Sequence, residues 1–168
     1  MKKKLLLLIT LFTFMLALFT ACTPNTSSAS IAPFTNATWE SSLESICESE
    51  GNEYESSLSM SGGYNYIFPK QYLGCDGYVQ YNIDDTGTLA GVSWFYIGND
   101  EKTASEIYTA IQKDTTTNLG SQESLDNSNI YGGNKWETDD SNVLLVSFSQ
   151  NGEHAVQISY LLKSTDTK

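Results

Sequence analysis

Four side chains in this 168-residue chain carry reactive chemistry of their own: the thiols of Cys22, Cys47 and Cys75 and the imidazole of His154. Cys22 has the most telling surroundings. It directly follows an apolar run, Leu5 to Phe19, headed by Met1-Lys2-Lys3-Lys4 and closed by the small residues Thr20-Ala21. A basic head, an apolar middle and a small-residue end make the layout of a secretory signal. The run is short for a spanning helix, which needs roughly 20 apolar residues.

The segment Leu18-Phe19-Thr20-Ala21-Cys22 resembles the lipobox of bacterial lipoproteins, with Phe19 where leucine is common. The resemblance covers residues 1–22. It implies that residues 1–21 are removed as a signal peptide, that the Cys22 sulfur carries a diacylglyceryl group, and that Cys22 becomes the N-terminus. The expected location is the cell envelope, lipid-anchored on the extracytoplasmic side of a bacterial membrane. Two acyl chains, at about 0.8 kcal/mol per buried methylene, hold a protein stably where one is marginal. Residues 22–38 are rich in Thr, Ser, Asn, Ala and Pro without an apolar period and read as a flexible tether. Residues 39–163 then form a single domain and 164–168 a polar tail.

In an exported protein the remaining thiols, Cys47 and Cys75, read first as a disulfide. It would close a loop of about 28 residues and contribute roughly 3–3.5 kcal/mol in the chain-entropy account. Two buried free thiols are the other reading, because Cys47 falls on the apolar face of a helix. No Cys-x-x-Cys and no histidine cluster supports redox or metal chemistry, so neither a cofactor nor a metal is expected. A nucleophilic site would have to use His154, the one histidine. It lacks a Gly-x-Ser-x-Gly, Ser-x-x-Lys or His-Glu-x-x-His companion and reads as a strand residue. Asn82 to Gly87 resembles the front of an EF-hand loop, but its twelfth position is Ser93 rather than glutamate, so a hairpin turn is expected. Asp139-Asp140-Ser141-Asn142 reads as a turn as well.

Charge narrows the partners. Twenty acids face nine basic residues, all of them lysine, for a net charge of −11. Loss of residues 1–21 removes three lysines and no acid, making the remainder more negative still. Nucleic acid, which needs a basic surface, is excluded, and so is adhesion to anionic lipid through a polybasic patch. Such acidity keeps an exported domain soluble and monomeric; a cationic partner or divalent ion is the sharper alternative.

The elements that position these residues follow from periodicity. Trp39, Leu43, Ile46 and Cys47 mark one helix face, with Ser41 and Glu44 as a capping box and Gly51 past its end. Tyr64, Tyr66 and Phe68 alternate until Pro69. Val79, Tyr81 and Ile83 share a strand face, and the turn Asp84–Gly87 leads into the apolar strand Leu89–Ile97. A second helix carries Ala104, Ile107, Tyr108 and Ile111, capped by Thr103 and Glu106 and stopped by Gly120. Strands follow at Lys135–Thr138, Val143–Ser149 and His154–Leu162, the last two joined through Asn151-Gly152, a strong hairpin signal.

The predicted fold class is α+β, an antiparallel sheet with helices on one face in the order α-β-β-β-α-β-β-β. The matching spacing of the hairpins Tyr81–Tyr96 and Val146–Tyr160 suggests a duplicated αβββ unit. This element order is similar to β-lactamase-inhibitor-type domains and related small envelope lipoproteins, which would imply inhibition of a secreted hydrolase. In Leu89–Ile97 both faces are apolar, with Trp94 in phase with Val92 and with Phe95 and Ile97 opposite. That strand is either covered twice or exposes a binding patch. The functional expectation is a non-enzymatic module binding an envelope protein, peptide or glycan; a cell-wall or glycan-active hydrolase with dispersed carboxylates is the alternative. If the Cys22 anchor is right, Cys22→Ser abolishes metabolic labelling with a fatty acid, and persistent labelling contradicts it.

Overall fold

The computed structural model describes residues 29–60, 62–125 and 133–163. Cys22, the signal segment and the tail 164–168 lie outside the described residues. Helix α1 (Leu43–Glu50) precedes strands β1 (Glu55–Leu58), β2 (Tyr64–Tyr72), β3 (Cys75–Ile83) and β4 (Leu89–Gly98). Helix α2 (Glu101–Leu119) precedes β5 (Glu123–Leu125), β6 (Gly133–Glu137), β7 (Ser141–Gln150) and β8 (Glu153–Leu162). The strands make one antiparallel sheet in the order β1-β2-β3-β4-β8-β7-β6-β5. Its two halves therefore meet only where β4 pairs with β8.

Each half has four strands rather than the expected three. The additions, β1 and β5, are short edge strands of sequence ESSL and ESL, too polar and too brief for alternation to reveal. Strand β2 also runs through Pro69 to Tyr72 instead of stopping. Strand β1 pairs with β2 only as far as Glu55 opposite Ile67, so the outer edge of β2 is bare at Pro69 and a missing N–H there costs no ladder bond.

Local chemistry explains the boundaries. Ser42, one residue later than expected, caps α1 by accepting from the Ser45 amide, while Ser41 accepts from the amide of Thr38. Asp100 caps α2 by accepting from the amide and hydroxyl of Thr103. Asn151 and Gly152 both take positive φ, 55° and 84°, which the tight β7–β8 turn demands. At Asp84 the side chain accepts from the Thr86 hydroxyl and from the amides of Thr86 and Thr88, and these bonds hold its carboxyl below the usual carboxylate range. Hydrogen bonds from Ser141, Thr138 and Trp39 do the same at Asp140. Asp84–Gly87 is thus a turn, as expected, whereas of the second acidic segment only Asp139 and Asp140 lie in the turn and Ser141-Asn142 open β7.

The core lies on one face of the sheet. Residues directly opposite one another in antiparallel strands share a face, so Phe68, Val79, Trp94, Ile158 and Leu145 form one buried row, and Tyr81, Val92, Tyr160 and Val143 a second. Helix α2 buries Ala104, Ile107, Ile111 and Thr115; Tyr108 and Asp114 meet Asn134 and Tyr72 on that same face. A Cβ at Gly77 would overlap the Trp94 indole, so glycine is what lets that ring lie flat on β3.

Residues 31–37, part of the expected tether, pack into this layer. Ala32, Phe34, Thr35 and Ala37 are buried, and Phe34 meets Tyr72 and Tyr160 edge-on at 5.3 and 5.9 Å. Composition hid this because one phenylalanine among small polar residues has no period. Beneath the segment, Glu50 accepts from Lys70 Nζ and the Tyr81 hydroxyl, each at 2.7 Å, and Tyr81 also bonds Thr35 at 2.6 Å. The Glu50 side chain is only 3% exposed, so removing its charge would strand Lys70 as a partly buried cation.

Burial pushes the hydroxyls of Tyr72 and Tyr81 well above the ordinary tyrosine value and that of Tyr160 up to about 12. Values raised in the folded state mean that the stability gained from neutral burial is complete below about pH 10, where unfolded tyrosine ionises, and is lost as pH climbs toward the folded values. Cooperative loss of circular dichroism should therefore accompany the late tyrosinate absorbance. Ordinary titration of every tyrosine with the fold intact contradicts this packing.

Candidate functional site

Among the described residues no helix lies over the opposite face of the sheet. Its central row reads Pro69, Tyr78, Phe95, Gln157 and Val146 across β2, β3, β4, β8 and β7; beyond it Gln71 pairs with Asp76, and Ile97, Ala155 and Phe148 form a second, shorter row. Strand pleating forces this composition, because every second residue of strands that build the core must point away from it. In β4 the covered face takes Val92, Trp94 and Tyr96; of the residues directed away from it, Ser93 is buried, Phe95 partly buried and Ile97 exposed. Of the two readings open for Leu89–Ile97, the exposed patch is the one observed.

This face is more apolar than a solvated sheet surface needs to be. Ile97 is 53%, Tyr78 45%, Phe148 41% and Leu161 38% exposed. Tyr78 stacks on Phe95 with centroids 5.5 Å apart and planes at 26°, which fixes both rings. A polar strip divides the apolar residues into two patches. Ser93 donates to Ser159 at 2.8 Å and Gln157 to Ser159 at 2.9 Å, while Asn82 and Gln80 both donate to Asn65. The strip's groups are therefore satisfied within the protein, while its amides keep further donors and acceptors for a ligand. Two concavities open at its β2 side: one of about 610 Å³ lined by residues including Gln71, Asp76, Tyr78 and Ile97, and one of about 310 Å³ between Tyr54 and Tyr78.

The expected reactive residues do not converge on this face or on each other. Cys47 and Cys75 are separate free thiols, each partly buried, so the expected bridge is not formed in this structure. His154 pairs with Ser149 across the β7–β8 hairpin, its Nδ1 2.7 Å from the serine hydroxyl. The pair lies at the end of a small cavity beside the start of α2, with Glu101 and Ser105 in its lining. Among the described residues no three side chains of metal-binding type come together, and no helix is long and apolar enough to cross a membrane.

Several residues now prominent had no sequence signal. Glu53 and Tyr54 stand in a polar stretch before β1, and Ser93, Gln157 and Ser159 read only as outward strand positions. Strand register is what brings them together, and register between halves is not written in local periodicity. Searches among known protein families, characterised proteins and solved structures found no match to the chain. The unreduced, denatured protein should show Cys47 and Cys75 both reacting with a thiol reagent; no reaction at either would restore the bridge.

Proposed function

We propose that this chain is a lipid-anchored envelope protein that binds a protein partner through the uncovered face of its sheet and catalyses no reaction. The observation that carries this reading is a pair of adjacent rows, Tyr78 and Phe95 continuing past Gln157 to Val146, and Ile97 continuing past Ala155 to Phe148. It is an apolar surface crossed by hydrogen-bonding amides in a chain of net charge −11. Interface centres favour aromatic and apolar groups with few charges, and acids at the margin steer a partner of opposite sign. The lipobox-like segment ending at Cys22 supports the anchor. Among the acids brought into contact, Asp84 and Asp140 serve turns, Asp100 a helix cap, and Glu50 and Glu137 ion pairs, a structural use that favours binding over hydrolysis. The strand order, with each helix preceding four strands, supports descent from a duplicated αββββ unit, one strand longer than the repeat expected from the hairpins.

A photo-reactive phenylalanine analogue placed at Ile97, and separately at Thr117 on exposed α2, tests the face in intact cells. The reading expects a discrete cross-linked species from Ile97, none from Thr117, and loss of the Ile97 product on Phe148→Ser. Equal capture from both sites, or none from Ile97, contradicts it.

A further inference from the structure

We infer that the notch beside Pro69 is a receptor for a lysine or arginine side chain of a basic protein partner. The inference rests on the reading that the uncovered face binds protein. Strand β1 stops at Glu55, opposite Ile67, and leaves a gap along the outer edge of β2. Glu53, Tyr54, Glu55, Ile67, Pro69 and Tyr78 line the resulting space of about 310 Å³.

Each wall contributes a separate element of cation recognition. Tyr54, packed on the covered side of β2, and Tyr78, on the uncovered side, both line the notch, and an ammonium or guanidinium is attracted to an aromatic ring through its quadrupole. Both rings are held in place before any ligand arrives. Tyr54 lies edge-on to Tyr66 at 5.5 Å and tilted on Phe68 at 5.4 Å, and Tyr78 stacks on Phe95. Ile67 and Pro69 give an apolar floor for the methylene stem of a long basic side chain. Glu53 and Glu55 add two carboxylates that form no ion pair among the described residues. Together these exclude an anion.

The occupant is a side chain rather than an added strand, because Pro69 has no N–H to offer a ladder at this edge. It belongs to a protein partner because the notch is continuous with the uncovered face through Ile67, Pro69 and Tyr78. A partner seated on Phe95 and Ile97 would reach it with one projecting residue. The net charge of −11 favours a basic partner and disfavours a second copy of this chain.

The test titrates the full chain in non-ionic detergent with hexaarginine, hexalysine and choline, following the ring signals of Tyr54 and Tyr78 by nuclear magnetic resonance. Both peptides should move these signals. Affinity should fall about tenfold in Glu53→Gln/Glu55→Gln and hold steady in Glu40→Gln/Glu48→Gln, which removes the same charge elsewhere. Equal losses in the two double variants would reduce the effect to general attraction and overturn the inference. Choline binding more tightly than either peptide would overturn the side-chain assignment in favour of a small quaternary ligand, and unmoved tyrosine signals would overturn both. Ile97 lies outside the notch. Capture at Ile97 in cells, together with tyrosine signals of the unaltered chain that neither peptide moves, would sink this inference alone; loss of all capture from Ile97 in the unaltered chain would sink the broader reading.

Discussion

The pairing of β4 with β8 is the interaction on which this molecule depends. It is the only ladder joining the two halves, and its register decides which side chains share a face. With Trp94 opposite Ile158 and Val92 opposite Tyr160, the large apolar residues of both halves fall on one side. The two helices and residues 31–37 then close over a common core. A slip of one residue would send Trp94 and Ile158 to opposite faces and leave each half with an unfilled core. Ser93 and Ser159, hydrogen-bonded across the same joint on the other side, add a polar contact that a slipped register could not make.

A second consequence concerns coverage. Among the described residues, two helices and one loop segment roof one face of the eight strands, and none of them covers the other. The uncovered face is a direct result of this ratio, and its apolar content is a further, separate choice of sequence. A solvated face would carry Thr, Lys and Glu at the positions of Phe95, Ile97, Val146 and Phe148. The acids instead gather in turns, at helix starts and around the sheet margin.

Much of the architecture was legible residue by residue. Asn151-Gly152 and Asp84–Gly87 announced their hairpins because left-handed backbone and side-chain-to-amide bonding need those residue types. The stripe Ala104, Ile107, Ile111 announced α2. What stayed hidden had physical reasons. Strands β1 and β5 take their definition from a neighbour's edge rather than from their own pattern. Pro69 looked like a stop because proline removes a donor, but only the sheet's pairing shows that no acceptor waits there. Phe34 looked like part of a tether because a single anchor has no period. For the candidate site, the sequence posed the right alternatives for Leu89–Ile97, and only the placement of both helices on one face chose between them. The notch of Tyr54 and Tyr78 depends on where β1 ends, which no local pattern records.

The proposed lipid anchor and the apolar sheet face left uncovered by the described elements together imply a partner at the membrane surface. Hydroxyl-radical footprinting of the purified protein, and of the same protein on intact cells, tests that union most directly. The account predicts that Tyr78, Phe95, Ile97 and Phe148 oxidise readily in the purified protein and become protected on cells, while Trp94 and Tyr81 stay protected in both. Equal oxidation of the Tyr78–Ile97 row in both settings, or ready oxidation of Trp94 in the purified protein, would contradict it.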